Sequence, residues 1–502
     1  MTVSRRGVLK VGLLAAGATT LPIAVGVRDA VAGRSHVQSP PFTPYSRPLK
    51  IPPVLKPVRT IGNVDFYEVV QTTGRQETLP GKIATVWGYN GIYPGPTFAV
   101  ESGRAIVVTQ RNALTATATG MPGGVPTTVH PHGMDVEARS DGHPLNLVLP
   151  GGFLEHHYPN VQPATTLFYH DHAIDHTSRN VYMGLGGFYL IRDQHERSLP
   201  LPQGPFDIPL CIQDKIFKAD GSLFFPTDGG LPQRQGVFGD VLLVNGTPQP
   251  FLRVQRRKYR FRLLNASDAR SYALRLSTGD PFTVIATDGG LMPHPVEVAS
   301  LPMAVAERYS IIVDFSKYPV GTSILLQNTD HGLFGDEVAP AKVSAAMRFD
   351  VVADAVDTSS VPFDLAPPLE VNAAAATVTR RWVFERENDA WVMNGKPFDG
   401  NRVDARPKQG STEIWEFVNK SDGWRHPVHV HLVQYLILDR NGAPPRPFER
   451  GPKDTVALGP DESIRVVMKF SSRFTGTYVF HCHNLSHEDN MMMTQFEVVP
   501  SP

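Results

Sequence analysis

Nine of the 18 histidines in this 502-residue chain crowd into four short runs, and a tenth follows the last. The runs are His130-Pro131-His132, His170-Asp171-His172, His426-Pro427-Val428-His429-Val430-His431 and His481-Cys482-His483, with His487 and Met492 close behind the last. Neutral imidazole is a ligand for copper, zinc and iron. Residues two apart on a strand share a face, so each His-x-His pair aims two rings the same way. Four pairs give eight converging histidines, enough for several metal ions. On the same strand Cys482 faces opposite to His481 and His483, so its thiolate can bind one metal while the flanking rings bind others. A thiolate, two histidines and a weak axial methionine make a blue-copper electron-transfer site. Cys482, His487 and Met492 supply three of these ligands, and His426, the cluster histidine outside the His-x-His pairs, is the fourth. A structural zinc site closes with four ligands, whereas twelve candidates are present here. One mononuclear copper joined by a few covalent bonds to a multinuclear site suits an enzyme that collects single electrons and delivers several to one acceptor.

These residues need rigid strands to hold them. Asn90-Gly91, Asn245-Gly246 and Asn394-Gly395 each mark a turn, and each is followed by an apolar strand ending near Asn112, Asn265 and Asn419. Tyr259-Arg260-Phe261-Arg262-Leu263 and Glu413-Ile414-Trp415-Glu416-Phe417 alternate polar and apolar, the period of a half-buried strand. Three copies of one turn-and-strand unit predict an all-β chain of three tandem Greek-key β-sandwich domains. Composition shifts place them at 50–192, 206–352 and 379–502, with linkers at 193–205 and 352–378 and an extended Pro-rich arm at 33–57. The first domain carries the first two histidine runs and the third carries the last two, which puts the multinuclear site between them. Abundant, scattered Gly (43) and Pro (45) fit many short strands.

Lys plus Arg equals Asp plus Glu, at 48 each, which gives no electrostatic case for nucleic acid or an anionic membrane as partner. Two cysteines exclude a disulfide framework, and Cys211, in the apolar run Ile208–Ile212, reads as a buried free thiol. The opening Ser4-Arg5-Arg6-Gly7-Val8-Leu9-Lys10, a weakly apolar stretch from Val11 to Val27 and the small-x-small Ala30-Val31-Ala32 have the layout of a signal peptide over residues 1–32. The paired arginines resemble the twin-arginine type, although Val8 stands where an aromatic is usual. The expectation is therefore an exported protein, handled by the twin-arginine machinery and found in the periplasm, at the cell envelope or outside the cell. No other segment is apolar enough to span a bilayer.

At its metal motifs, and at Tyr169–His172, Val244-Asn245-Gly246, Tyr259–Arg262, Asp288-Gly289-Gly290 and Ala306–Tyr309, the chain resembles the multicopper oxidases. Within them it is similar to bacterial spore-coat laccases and bilirubin oxidases over essentially its whole mature length. The resemblance implies three cupredoxin-like domains and four copper ions. It assigns the type 1 copper to His426, Cys482, His487 and Met492, and the type 2 copper to His130 and His429. The paired type 3 coppers take His132, His170, His172, His431, His481 and His483. It makes Asp141 and Glu488 candidate proton-handling acids; on their own, the first also reads as a turn residue before Gly142 and the second as a surface acid. Trp424 becomes a candidate for the donor pocket, or else an apolar cover of the type 1 site. Met491 and Met493 read as packing around that site. The implied activity is laccase-like: a small organic reductant (phenolic, aminophenolic or bilirubin-like) is oxidised one electron at a time while dioxygen is reduced to water. A metal-ion oxidase is the alternative, although 12 methionines include no Met-rich insert. A copper-free structural relative would have lost the ligands, a simple copper carrier would not need the His-x-His pairs, and a nitrite reductase would lack the complete multinuclear set.

Overall fold

The computed structural model describes residues 37–502 apart from 229–230, 233–234, 331–339, 472 and 502, so the expected leader at 1–32 and His331 lie outside the described residues. The three Asn-Gly turns are built alike. Asn90, Asn245 and Asn394 have φ of 56°, 50° and 50°, and the glycines that follow have 68°, 72° and 69°. Two successive positive φ angles are what a tight hairpin turn demands of an Asn-Gly pair. Each asparagine then clips the turn to a neighbouring strand. Its N–H donates to the carbonyl of Val70, Cys211 or Val383, and its Oδ1 accepts the N–H of that same residue at 2.9, 2.8 and 2.7 Å.

In each domain a later strand, the one that carries Asn112, Asn265 or Asn419, pairs in parallel with the clipped strand, in one register: Gln71 opposite Asn112, Ile212 opposite Asn265, Phe384 opposite Asn419. Those three asparagines repeat a second device. Each Oδ1 accepts the N–H two residues on, and each Nδ2 donates to two backbone carbonyls further along the chain. The chain is thus three versions of one β-sandwich in tandem.

The first and third sandwiches each pair a five-stranded with a four-stranded sheet, and the middle one pairs seven strands with five. Aromatic residues bridge the layers, with Tyr67 edge-on to Phe98 at 5.3 Å, Phe261 against Phe349 at 5.1 Å and Trp415 against Phe480 at 5.0 Å. Burying such rings supplies much of each core's stability. The segment after residue 37 is extended and ties domains together: Leu49 donates to Phe251 of the middle sandwich, and Leu55 to Thr97 of the first. The linker before the third sandwich runs over the middle one, where Leu365 N–H donates to the Pro293 carbonyl.

Both four-stranded sheets carry the histidine runs on their strands or just past them. In the first domain His130 on strand Val129–His132 pairs directly with His170 on strand Thr165–Asp171. In the third, strand His426–Val430 sets Val428 opposite Cys482 and His429 opposite His481 on strand Gly476–Cys482. Among the described residues, the middle sandwich contributes none to the histidine clusters.

Candidate metal centres

The alternation of strand Gly476–Cys482 sends the Cys482 sulfur one way and the rings of His481 and His483 the other. On the sulfur's side, His426 Nδ1 lies 3.3 Å from Cys482 Sγ, His487 Nδ1 lies 3.5 Å from it, and the two nitrogens are 3.3 Å apart. The centre of such a triangle is about 2 Å from each corner, the distance at which a metal binds imidazole. All three side chains are fully buried, as is Met492. Met492 is locked beside them by its backbone, which accepts from Cys482 N–H and donates to the His487 carbonyl, each at 3.0 Å. His487 is the middle residue of the five-residue helix Leu485–Asp489, whose first N–H groups are capped by Asn484. Ser421 Oγ fixes the His426 ring at Nε2, 2.5 Å away. Burial pushes the Cys482 thiol up, and a cation at the triangle's centre reverses that by favouring the thiolate.

On the other side, eight histidine rings from two domains converge. His130 and His429 point their Nε2 atoms at each other across 3.4 Å, and each Nδ1 donates to a carbonyl, of Asp141 at 2.6 Å and Asp454 at 2.9 Å. His481 Nε2 lies 3.2 Å from His172 Nε2 and 3.3 Å from His431 Nε2. His132, His170 and His483 form the remaining group, with His483 about 5 Å from both other rings, at 5.0 and 5.1 Å between centroids. His170 Nε2, His132 Nδ1 and both nitrogens of His483 are buried with no hydrogen-bond partner. Native interiors rarely leave such groups unpaired, at a cost of about 1–3 kcal/mol each. Metal ions would satisfy them, and an N₂S-thioether set beside an all-imidazole cluster is a donor chemistry that suits copper.

Most of these rings are held in the neutral state that a metal needs. Burial, with neighbouring rings adding to it, keeps His132, His170, His429, His431 and His483 well below 6.5. Burial brings His172 and His426 to about 3 and His156 to about 4. As pH falls below 6.5 the unfolded chain takes up protons that these folded rings refuse, so stability is lost between about 6.5 and 3. Burial raises Asp171 to about 7 and Asp288 to about 6, which acts in the opposite sense but involves fewer groups. We expect the urea midpoint of the metal-free chain to drop between pH 7 and pH 4. The slope should exceed one proton's worth, about 1.4 kcal/mol per pH unit. Stability that is flat or rises toward pH 4 would refute this.

Both expected acids are in the cluster. Glu488, 1 % exposed, is no surface acid. It sits between the Nδ1 atoms of His172 and His481, at 3.2 and 3.0 Å. Burial alone would raise its carboxyl, but the imidazoles of His481 and His172 hold it down, at about 2. Asp141, as deeply buried, closes a single 3-10 turn and also accepts from His431 Nδ1 at 2.7 Å, so it is more than a turn residue. Outer partners of this kind set ring orientation and tautomer, and removing one typically costs 10–100-fold in metal affinity. Glu488→Gln should therefore release copper to a chelator at about 10–100-fold lower chelator concentration. Unchanged retention would leave Glu488 without that role.

Trp424 is buried against the mononuclear site, 5.6 Å from the His487 ring and edge-on to Trp391 at 5.4 Å. Met493 is buried in the strand behind. Trp391 was not anticipated, and it lies closer than Trp424, with its ring 3.9 Å from that of His487. Nothing in Ala390-Trp391-Val392-Met393 separates it from an ordinary core tryptophan. Cys211 is a buried free thiol, pushed up to about 12 by burial.

A second group that sequence reasoning missed is Asp454. Its Oδ1 lies 3.1 Å from His132 Nε2, which leaves Nδ1 as the nitrogen of His132 facing the cluster. Arg308, from the middle domain, grips Asp454 with both guanidinium nitrogens at 2.7 and 2.5 Å. Beside it Lys453 is paired with Asp288 and Glu307, each at 3.0 Å. Gly133 makes this approach possible, because a Cβ there would lie 2.3 Å from Asp454 Oδ2. The segments Asp288–Gly290 and Ala306–Tyr309 thus furnish a buried charge clamp behind His132 and His429. No local sequence signal marks Asp454 as buried.

Comparison with known proteins agrees with this geometry. Sequence models of the multicopper oxidase family match residues 71–196, 226–347 and 364–502. The chain is 38 % identical to a bilirubin oxidase of Albifimbria verrucaria, over 92 % of this chain and 83 % of that one. It is 36 % identical to a laccase of Bacillus subtilis, over 90 % and 97 %. Its structure superposes on that of a laccase from Pediococcus acidilactici with a TM-score of 0.82 at 34 % identity, covering 92 % of this chain and 95 % of that one.

Proposed function

We propose, for a chain that belongs to the multicopper oxidase family, a laccase-like reaction: one-electron oxidation of phenolic, aminophenolic or bilirubin-like donors coupled to four-electron reduction of dioxygen to water. The observation that carries the reading is one strand end, where Cys482 Sγ joins the His426–His487 triangle and the adjacent His481 reaches into the eight-histidine cluster. In this reading four copper ions are held. His426, Cys482, His487 and Met492 hold the type 1 ion, and His130 and His429 the type 2 ion. His132, His170 and His483 hold one type 3 ion, and His172, His431 and His481 the other. Copper, when bound, supplies the one-electron redox steps and the reduction of dioxygen.

The chain's own residues do the rest. The backbone between Cys482 and its two histidine neighbours is a through-bond link between the sites, and it is rigid because the strand is paired on both sides. Trp391 and Trp424 exclude water from the mononuclear site, which lowers the dielectric around it. Asp141 and Glu488 orient the outer nitrogens of His431, His172 and His481 and keep carboxylates beside the place where protons are consumed.

The alternative is a metal-ion oxidase, of which the cuprous form is the weaker reading because the chain has no Met-rich insert. Turnover of the copper-loaded chain on 2,6-dimethoxyphenol and bilirubin, set against cuprous, ferrous and manganous ions, separates the two. The organic donors should give the higher kcat/KM; preference for a metal ion would reverse the assignment. Export by the twin-arginine machinery to the periplasm, the envelope or the exterior is part of the proposal and rests on residues 1–32. Joint replacement Arg5→Lys and Arg6→Lys should block export of the full chain, and export that continues would discard that signal type.

A further inference from the structure

The helix Leu485–Asp489 serves both metal centres, with His487 at the Cys482 triangle and Glu488 between His172 and His481. So short a helix is not held in place by its own backbone bonds, and its position must come from what it touches. From the first domain, Thr177 and Ser178 donate their N–H groups to the Asp489 carboxylate at 3.1 and 2.9 Å. From the middle domain comes Asp268. Its backbone carbonyl accepts the Leu485 N–H at 3.0 Å. Its Oδ2 accepts the Ser486 hydroxyl at 2.7 Å and the Val237 N–H at 2.8 Å, and its Oδ1 accepts the Ser178 hydroxyl. One carboxylate thus joins the three domains, and Asp268 grips the helix at Leu485 and Ser486, directly ahead of His487. Asp268 is itself held. Asn265 accepts the Ser267 N–H at 3.1 Å and donates to the Arg270 carbonyl at 2.8 Å, which fixes the loop on both sides of it. Gly236 lets the segment that carries Val237 close on this loop, since a Cβ there would lie 2.2 Å from Ala269 Cβ. Asp268 is buried, and hydrogen bonds to a carboxylate are about twice as strong as those between neutral groups.

We infer that Asp268 is a positioning residue for the reaction: through it the middle domain, whose described residues supply no cluster histidine, sets the placement of His487 at one centre and of Glu488 at the other. The inference rests on the oxidase reading for what the two centres do. Removing the carboxylate leaves the Ser178, Ser486 and Val237 donors without their acceptor at once and frees the helix to move as a unit. Both centres should therefore change together.

The test uses the copper-loaded full chain. Asp268→Ala should shift the type 1 absorption and let a chelator take copper from the histidine cluster at about 10-fold lower concentration, the effect of losing an outer partner. On 2,6-dimethoxyphenol kcat should fall about 10-fold with KM little changed. Asp268→Asn keeps one acceptor oxygen and should return both signals most of the way. Ser486→Ala removes only the side-chain bond to the helix and should move the same two signals by less; it decides alone if Asp268→Ala does not fold. Glu196→Gln, in the buried ion cluster with Arg260 and Arg262, should lower the urea midpoint and leave both signals fixed, which separates positioning from loss of stability. Signals that stay fixed in Asp268→Ala and Ser486→Ala, or that move as far in Glu196→Gln, would overturn the inference. Both are read without turnover, so they judge Asp268 even in a chain that consumes no oxygen, a result that would refute the oxidase reading alone.

Discussion

Cys482→Ser is expected to abolish the blue absorption and to lower donor-dependent oxygen consumption by more than about 10³-fold, well beyond the 10–100-fold cost of losing an outer partner. The residue has two tasks at once. Its sulfur is the thiolate corner of the triangle with His426 and His487, and its backbone joins that corner to His481 and His483. Serine keeps the backbone link and the strand but offers a hard, protonated oxygen where a soft thiolate is needed. The loss should therefore fall on the mononuclear site alone. Resonance and copper analysis should show three ions retained and the type 2 signal intact. A variant that keeps the blue absorption would place the mononuclear site elsewhere, and one that loses all copper would make Cys482 a folding residue first.

Arg308→Met should cost about 3–5 kcal/mol of stability, the penalty for breaking a buried ion pair from one side. Arg308 is fully buried and makes five hydrogen bonds to four residues: two to Asp454 and one each to the carbonyls of Thr166, Ala306 and Asp288. Methionine fills much of the volume but leaves Asp454 charged and unpaired against the His132 ring. The same substitution should weaken copper at the cluster about 10–100-fold, because Asp454 partners both His132 and His429. Urea midpoints and type 2 copper content measure the two effects. Arg308→Lys should fall between, since it keeps the charge but not the two-pronged grip. A loss of less than about 1 kcal/mol would mean that the clamp is not needed for folding.

What could be read from sequence and what could not divides along physical lines. The His-x-His pairs and the Asn-Gly turns were legible because strand alternation and tight-turn geometry are local, with a period of two or a span of four residues. Asn112, Asn265 and Asn419 stood out for the same reason, each ending its strand in a fixed relation to a turn. The clamp was not legible. Arg308 and Asp454 are 146 residues apart and on different domains, and no local pattern marks a charged residue as fully buried. Glu488 could be read either as a surface acid or as a cluster partner, because a five-residue helix has too few turns to show which face is inward. Trp391 and Trp424 differ only in which lies closer to His487, a matter of a hairpin's path rather than of composition.

The two metal sites, joined through Cys482, pass electrons from an organic donor to dioxygen. Oxygen uptake by the copper-loaded chain, recorded together with donor oxidation and peroxide, is the decisive measurement. Four one-electron oxidations of 2,6-dimethoxyphenol are expected for each dioxygen consumed, with no peroxide released at any stage. Two oxidations per dioxygen with peroxide accumulating, or no donor-dependent uptake at full copper loading, would contradict it.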